Sequence, residues 1–137
     1  MLESINITTD RSLPLAQFLQ DQDYTVEQID ENVCQVSRDD DLPVFVQTNG
    51  QSLFFEVDLG NVSEYASQDL YFQLLNLNTE ILPVSIGFDS TNPDDPRLVL
   101  VESREANNLD DNELLSVFNA LEIATEKVAG VLSGYIG

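Results

Sequence analysis

Most residues of this 137-residue chain that could do chemistry are carboxylic acids, and many of them lie in short clusters. The clusters are Asp39-Asp40-Asp41, Asp94-Asp95, and Asp110-Asp111 with Glu113. Carboxylate oxygens bind hard cations such as Ca²⁺, but no cluster has the ligand spacing and central glycine of an EF-hand loop. We interpret the first cluster as a solvated loop, the second as a turn and the third as a helix cap. The sequence therefore predicts no metal site.

Catalysis has few other residues to use, because the chain has no histidine, one cysteine and one lysine. Cys34 lies in a strand-like apolar run without a neighbouring imidazole, so we predict a buried structural thiol. Lys127 lies late in a predicted helix and is expected to reach solvent. With twenty-five acids some carboxylate pair always lies close, so proximity alone does not indicate glycoside chemistry. We predict no catalytic residue, no cofactor and a non-enzymatic protein.

The net charge is the strongest constraint on partners. Twenty-five Asp and Glu face five Lys and Arg, a formal charge of −20 at pH 7. Nucleic acids and anionic membranes are disfavoured, since both require clustered basic residues. Another protein, offering basic or amphipathic segments, is the favoured partner. Two alternatives stay open: a small carboxylate-based domain that binds metal or polyamine or catalyses a reaction, and a structural subunit.

Length and composition predict one folded domain. The length matches a common domain size of roughly 100–150 residues, and 42% of the residues are hydrophobic. The N-terminus lacks a basic segment followed by an apolar one, and no run approaches the roughly 18 apolar residues of a membrane span. A cytoplasmic location is therefore expected. The predicted elements are a helix from Ser12 to about Gln20, strands over 24–29 and 33–38, a hairpin over 44–59, a helix from near Ser63 or Ser67 to about Asn78, strands over 84–88 and 97–102, and a helix over 110–134.

The hairpin is the clearest local pattern. Asn49-Gly50 between two apolar runs favours a type I′ turn. Leu53, Phe55 and Val57 alternate with Phe54 and polar residues, which is typical of an antiparallel sheet covered on one face. The run at 98–101 is apolar on both faces and predicts a central strand.

The helix that ends near Asn78 is too apolar for one buried stripe. One face can dock on the sheet, and the remaining apolar residues need another cover. A second copy of the same helix is the expected cover, with Tyr71, Phe72, Leu74 and Leu75 as the dimer contacts.

The chain resembles known families in its order of elements. A single α+β domain over residues 1–137 in the order α-β-β-β(-β)-α-β-β-α, with an acidic composition, resembles class I type III secretion chaperones and the YbjN-like proteins. The stretch ILPVSIGF at 81–88 and the block 114–130 are most similar to the YjfI-like bacterial family.

The resemblance implies a cytosolic, non-enzymatic homodimer that shelters or adapts another protein. In secretion chaperones, extended client segments lie in apolar grooves over the sheets, and Phe45, Phe54 and Tyr65 are the expected client-facing residues here. The YjfI-like resemblance implies a link to envelope stress.

Overall fold

The computed structural model describes residues 5–7 and 13–136, and it confirms the α+β fold. The long elements follow the predicted order α-β-β-β-β-α-β-β-α, preceded by a two-stranded ladder that the sequence patterns do not predict. The strands are β1 (Asn6–Ile7), β2 (Leu13–Pro14), β3 (Thr25–Asp30), β4 (Val33–Ser37), β5 (Val44–Thr48), β6 (Ser52–Gly60), β7 (Ser85–Asp89) and β8 (Arg97–Glu105). The helices are α1 (Leu15–Asp21), α2 (Gln68–Asn78) and α3 (Asp111–Leu132).

Strands β3 to β8 form one antiparallel sheet in the order β3-β4-β5-β6-β8-β7. Strand β8 lies between β6 and β7, which confirms the predicted central position of the run at 98–101. Leu98 and Leu100 of this run belong to the core, whereas Val99 and Val101 lie on the other face, where Val99 is buried and Val101 is partly buried. Strand β8 continues to Glu105, three residues past the predicted end, because β6 pairs with it as far as Ser52.

The turn between β5 and β6 differs from the prediction. Gly50 has a positive φ of 95°, but the φ of Asn49 is not positive. A type I′ turn requires a positive φ at both central residues, so this turn is not type I′. The Asn49 side chain instead accepts hydrogen bonds from the backbone N–H groups of Gln51 and Ser52, both at 2.9 Å. An asparagine commonly closes a turn in this way, and the sequence alone does not distinguish the two uses.

One face of the sheet carries the helices and the core. Helix α3 buries a stripe along its length: Leu114, Val117, Phe118, Leu121, Ala124, Val128 and Leu132. The Phe118 ring packs edge-on against Phe55 of β6, with centroids 5.8 Å apart, and it packs at a tilt of 42° against Tyr24, with centroids 5.1 Å apart. The complete burial of a Leu, Val or Phe side chain stabilises the fold by about 1.5–3 kcal/mol. The stripe therefore anchors α3 on the sheet.

Two of the three helices begin at side-chain caps. Ser67 accepts from the Leu70 N–H at 3.0 Å, and Asp110 accepts from the Glu113 N–H at 2.7 Å, which confirms the predicted cap of α3. Helix α1 begins at Leu15 after Pro14, which provides no side-chain cap. The predicted cap Ser12 lies outside the described residues.

Candidate functional site

None of the described helices covers the sheet face opposite α1, α2 and α3, and this face carries both polar and apolar side chains. Because side chains alternate along a strand, the residues between the core positions of β5 and β6 point to this open face. The register places Phe45 opposite Glu56 and Gln47 opposite Phe54. On β8, Val101 lies opposite Glu56.

A groove of about 620 Å³ runs over this open face, and we call it the sheet groove. Its lining residues are Val33, Phe45, Gln47, Phe54, Phe55, Glu56, Pro83, Ser85, Val101, Glu102, Ser103 and Arg104. By the alternation along β6 and β8, Phe55, Glu102 and Arg104 direct their side chains to the opposite face, which carries the helices. Two of the predicted client-facing residues, Phe45 and Phe54, therefore lie together in one groove. Phe54 is exposed and Phe45 is partly buried, so both rings present apolar surface. Tyr65 does not lie with them: it is in a short 3₁₀ turn and packs partly against the core.

The sheet groove has an acidic side. Burial, together with the nearby carboxylates of Asp89 and Asp58, raises the pKa of Glu56. The Arg97 guanidinium is already shared, with its Nε 3.2 Å from Oδ1 of Asp58 and its Nη1 3.2 Å from Oδ1 of Asp95. Glu56 makes no such ion pair in the described part of the chain.

A second apolar surface lies on α2. Tyr71, Phe72 and Leu75 are exposed, and Tyr71 packs edge-on against Phe88 of β7 with centroids 5.7 Å apart. Three of the four predicted dimer contacts thus share an exposed face, which we call the helix surface: Tyr71, Phe72, Leu75 and Phe88. A shallow, mainly apolar groove of about 380 Å³ runs along it beside Ile86.

Leu74 differs from the other three predicted dimer contacts. Its side chain is only 3% exposed, and it packs into the core beside Leu70 and Leu77 on the inner face of α2. Positions i, i+4 and i+7 form the buried stripe, so Leu74 is unavailable as a surface contact. The prediction is corrected: Leu74 is a core residue.

The end of α2 is tied to the edge strand β7. The Asn78 side-chain oxygen accepts from the Ile86 N–H at 2.7 Å, and its amide nitrogen donates to the Ile86 carbonyl at 3.4 Å. This amide replaces the strand partner that an edge residue lacks. Nothing in the sequence pattern indicates this contact.

A charged cluster lies on the helix face near the start of α3. Oε2 of Glu102 is 2.7 Å from Nη2 of Arg104, whose Nε is 3.7 Å from Oε2 of Glu113. The Glu102 side chain is only 1% exposed, and neither of its oxygens has a well-directed hydrogen-bond donor among the described residues. Burial raises the pKa of Glu102, and Arg104 only partly offsets this effect.

The remaining candidate groups are the Cys34 thiol and the acidic side chains. Cys34 is buried, and this burial raises the pKa of its thiol to about 11, which keeps the thiol protonated at neutral pH. Among residues 5–7 and 13–136, no three acidic, cysteine or histidine side chains converge in a way that could hold a metal ion. None of the helices described is both long and apolar enough to span a bilayer.

Comparisons with known proteins identify the family and the fold. The model of the CesT_Tir_1 family matches residues 11–136. The comparison with functionally curated proteins finds no match.

Solved structures share the fold at low sequence identity. A chain of the heterodimeric ExoU–SpcU complex from the type III secretion system of Pseudomonas aeruginosa has a TM-score of 0.69 at 17% identity, with 85% of this chain and 96% of that chain covered. YbjN from E. coli has a TM-score of 0.62 at 16% identity, with 81% and 85% covered. The Yersinia pestis secretion chaperone SycH, in complex with a fragment of YscM2, has a TM-score of 0.58 at 18% identity, with 85% and 95% covered. The resemblance to secretion chaperones and YbjN-like proteins is thereby confirmed.

Proposed function

Because the chain belongs to the CesT_Tir_1 family of type III secretion chaperones, we propose that it is a non-enzymatic adaptor that holds an extended segment of a client protein. The observation that carries the proposal is the sheet groove. Phe45 and Phe54 present apolar surface on a sheet face that none of the described helices covers. Exposed aromatic rings beside a polar rim are typical of protein-binding surfaces.

Two structural neighbours support a protein partner. The ExoU–SpcU structure is a heterodimeric complex, and SycH was solved with a fragment of YscM2. The net charge of −20 favours clients with basic or amphipathic segments, because complementary charge speeds encounter. We also propose a cytoplasmic location, which the same family resemblance supports. A link to envelope stress is supported only by the YjfI-like resemblance.

We further propose a homodimer through the helix surface. Tyr71, Phe72 and Leu75 expose a contiguous apolar face with Phe88, and a second copy of α2 is the cover that the sequence predicts. The helix surface and the sheet groove share no residues. A dimer through the helix surface therefore leaves Phe45 and Phe54 free for a client.

Site-specific photo-crosslinking in the native host tests the adaptor function. We expect benzoylphenylalanine at position 54 to crosslink a distinct polypeptide, because this side chain faces the sheet groove. The same probe at Ile123, an exposed apolar position on α3, is the matched control and is expected to give no such product. The crosslink at 54 is also expected to disappear when Phe45→Asp places a charge in the groove.

Two results would contradict the adaptor proposal. One is equal crosslinking from positions 54 and 123, which indicates nonspecific contact. The other is a position-54 crosslink that Phe45→Asp leaves unchanged, since the client would then lie outside the sheet groove.

A further inference from the structure

The sheet groove contains a partly buried carboxylate, Glu56, which lies beside apolar side chains. Glu56 lies opposite Phe45 of β5 on one side and Val101 of β8 on the other. Phe54 precedes it by two residues on the same face of β6. A charge that is partly withdrawn from water among aromatic rings interacts more strongly with an opposite charge than a fully solvated one.

No cation of the described chain neutralises Glu56. Arg97 already pairs with Asp58 and Asp95, each at 3.2 Å. The carboxylates of Asp58 and Asp89 are close enough to Glu56 to raise its pKa, so the local field is negative. The groove therefore combines apolar walls with an uncompensated negative charge.

This combination distinguishes among possible occupants. A second copy of the same face would bring Glu56, Asp58 and Asp89 against their own duplicates, which like-charge repulsion opposes. A metal ion lacks ligands, since no three suitable side chains converge in the described part of the chain. A polypeptide with a Lys or Arg between apolar residues matches both the walls and the charge.

We propose that Glu56 is a specificity-determining residue that binds one Lys or Arg side chain of the client segment. This inference rests on the proposed adaptor function and names the sequence that the sheet groove selects. Phe54 and Glu56 are two residues apart on one strand, a separation of about 7 Å. An extended client that runs along β6 places its own i and i+2 side chains at the same separation. The client motif is therefore a basic residue two positions from an apolar one, and the basic group can also stack on a Phe ring.

A displayed library of random 12-residue peptides tests this inference. The library is selected in parallel against the wild type, Glu56→Gln and Glu31→Gln. Glu31 is exposed in the turn between β3 and β4, so its variant changes the net charge equally but away from the groove. We expect wild type and Glu31→Gln to enrich Lys or Arg two positions from an apolar residue, and Glu56→Gln to lose only the basic preference.

Affinity and charge reversal add two readouts. Glu56→Gln is expected to weaken the best wild-type peptide about tenfold, as for a partly desolvated ion pair. Glu56→Lys is expected to enrich Asp or Glu at the position that was basic. Circular dichroism spectra that match the wild type show that each variant is folded.

The outcomes separate this inference from the proposed function. If Glu56→Gln selects the basic residue as strongly as the wild type does, Glu56 does not bind that residue. This outcome would overturn the inference and leave the adaptor function standing. A library that yields no enriched peptide on the folded wild type would remove the adaptor function and this inference together.

Discussion

At the scale of single residues, Glu102 is the only carboxylate that is buried in the described part of the chain. Its one ion-pair partner is Arg104, which also interacts with Glu113 of α3. The raised pKa of Glu102 means that burial costs the charged form more than Arg104 returns. Arg104 thus links β8 to α3 through Glu113, while the buried charge of Glu102 gives no net electrostatic gain.

Glu102→Gln is expected to stabilise the protein at pH 7 by roughly 1 kcal/mol. The pKa of Glu102 is higher in the folded state than in the unfolded state, so this group favours folding below its unfolded pKa. That contribution is lost as pH rises through the folded pKa. The difference between variant and wild type should therefore shrink as pH falls from 7 toward 4. Urea unfolding at several pH values measures it.

Glu105→Gln is the matched control, since it removes one charge from an exposed position on the same strand. It is expected to change the free energy of unfolding little and without this pH dependence. A Glu102→Gln protein that is less stable than the wild type at pH 7 would show that the attraction of Arg104 outweighs the cost of burial.

At the scale of elements, α2 has two apolar faces with different roles. Leu70, Leu74 and Leu77 bury one face against the core, while Phe72 and Leu75 remain 63% and 68% exposed. A helix of one soluble monomer needs only the first face. The second face is the element on which the proposed dimer depends.

Leu75→Asp is expected to convert the dimer to a monomer, because it places a charge in the centre of the helix surface. Light scattering coupled to size exclusion measures the mass. Ile123→Asp introduces the same charge at an exposed apolar position of α3 and is expected to leave the dimer intact. A wild type that is monomeric at micromolar concentration, or a Leu75→Asp variant that remains dimeric, would contradict the proposed interface.

Local patterns predict the elements of this fold better than the contacts between them. The apolar run at 98–101 indicates a central strand, and the acidic residues at 110–113 indicate the start of α3, because each depends on neighbours in sequence. The Asn78–Ile86 hydrogen bonds depend on the packing angle of α2, and the Arg97–Asp58 pair joins residues 39 positions apart. Such contacts carry no local signal.

The candidate site was predictable to a similar extent. Alternation along β5 and β6 predicts that Phe45 and Phe54 lie on outward positions, and the sheet register brings them into one groove. The number of apolar residues in α2 indicates a second face, but the assignment of Leu74 to the inner face requires the orientation of the helix on the sheet. Glu56 has no sequence signal, since its neighbours Val101 and Asp89 come from distant strands.

At the scale of the whole molecule, a charge of −20 opposes the compact state. Among the described residues only Arg97 and Arg104 form ion pairs, each with two carboxylates. Added salt therefore screens more repulsion between carboxylates than attraction within ion pairs. At 0.1 M the Debye length is about 10 Å, shorter than most distances across a domain of this size.

An increase from 0.02 M to 0.5 M NaCl is expected to raise the melting temperature by about 3–5 °C, which corresponds to ~1 kcal/mol for such a domain. Differential scanning calorimetry measures the shift. Choline chloride at equal ionic strength is the control, because screening does not depend on the identity of the cation. A melting temperature that stays constant or falls would show that self-repulsion does not limit stability. A rise with NaCl alone would indicate a bound sodium ion.

The association rate with a basic client segment tests the same screening in a second way. Salt that stabilises the fold by screening repulsion must also slow this association, because it screens the attraction between the acidic protein and the basic segment.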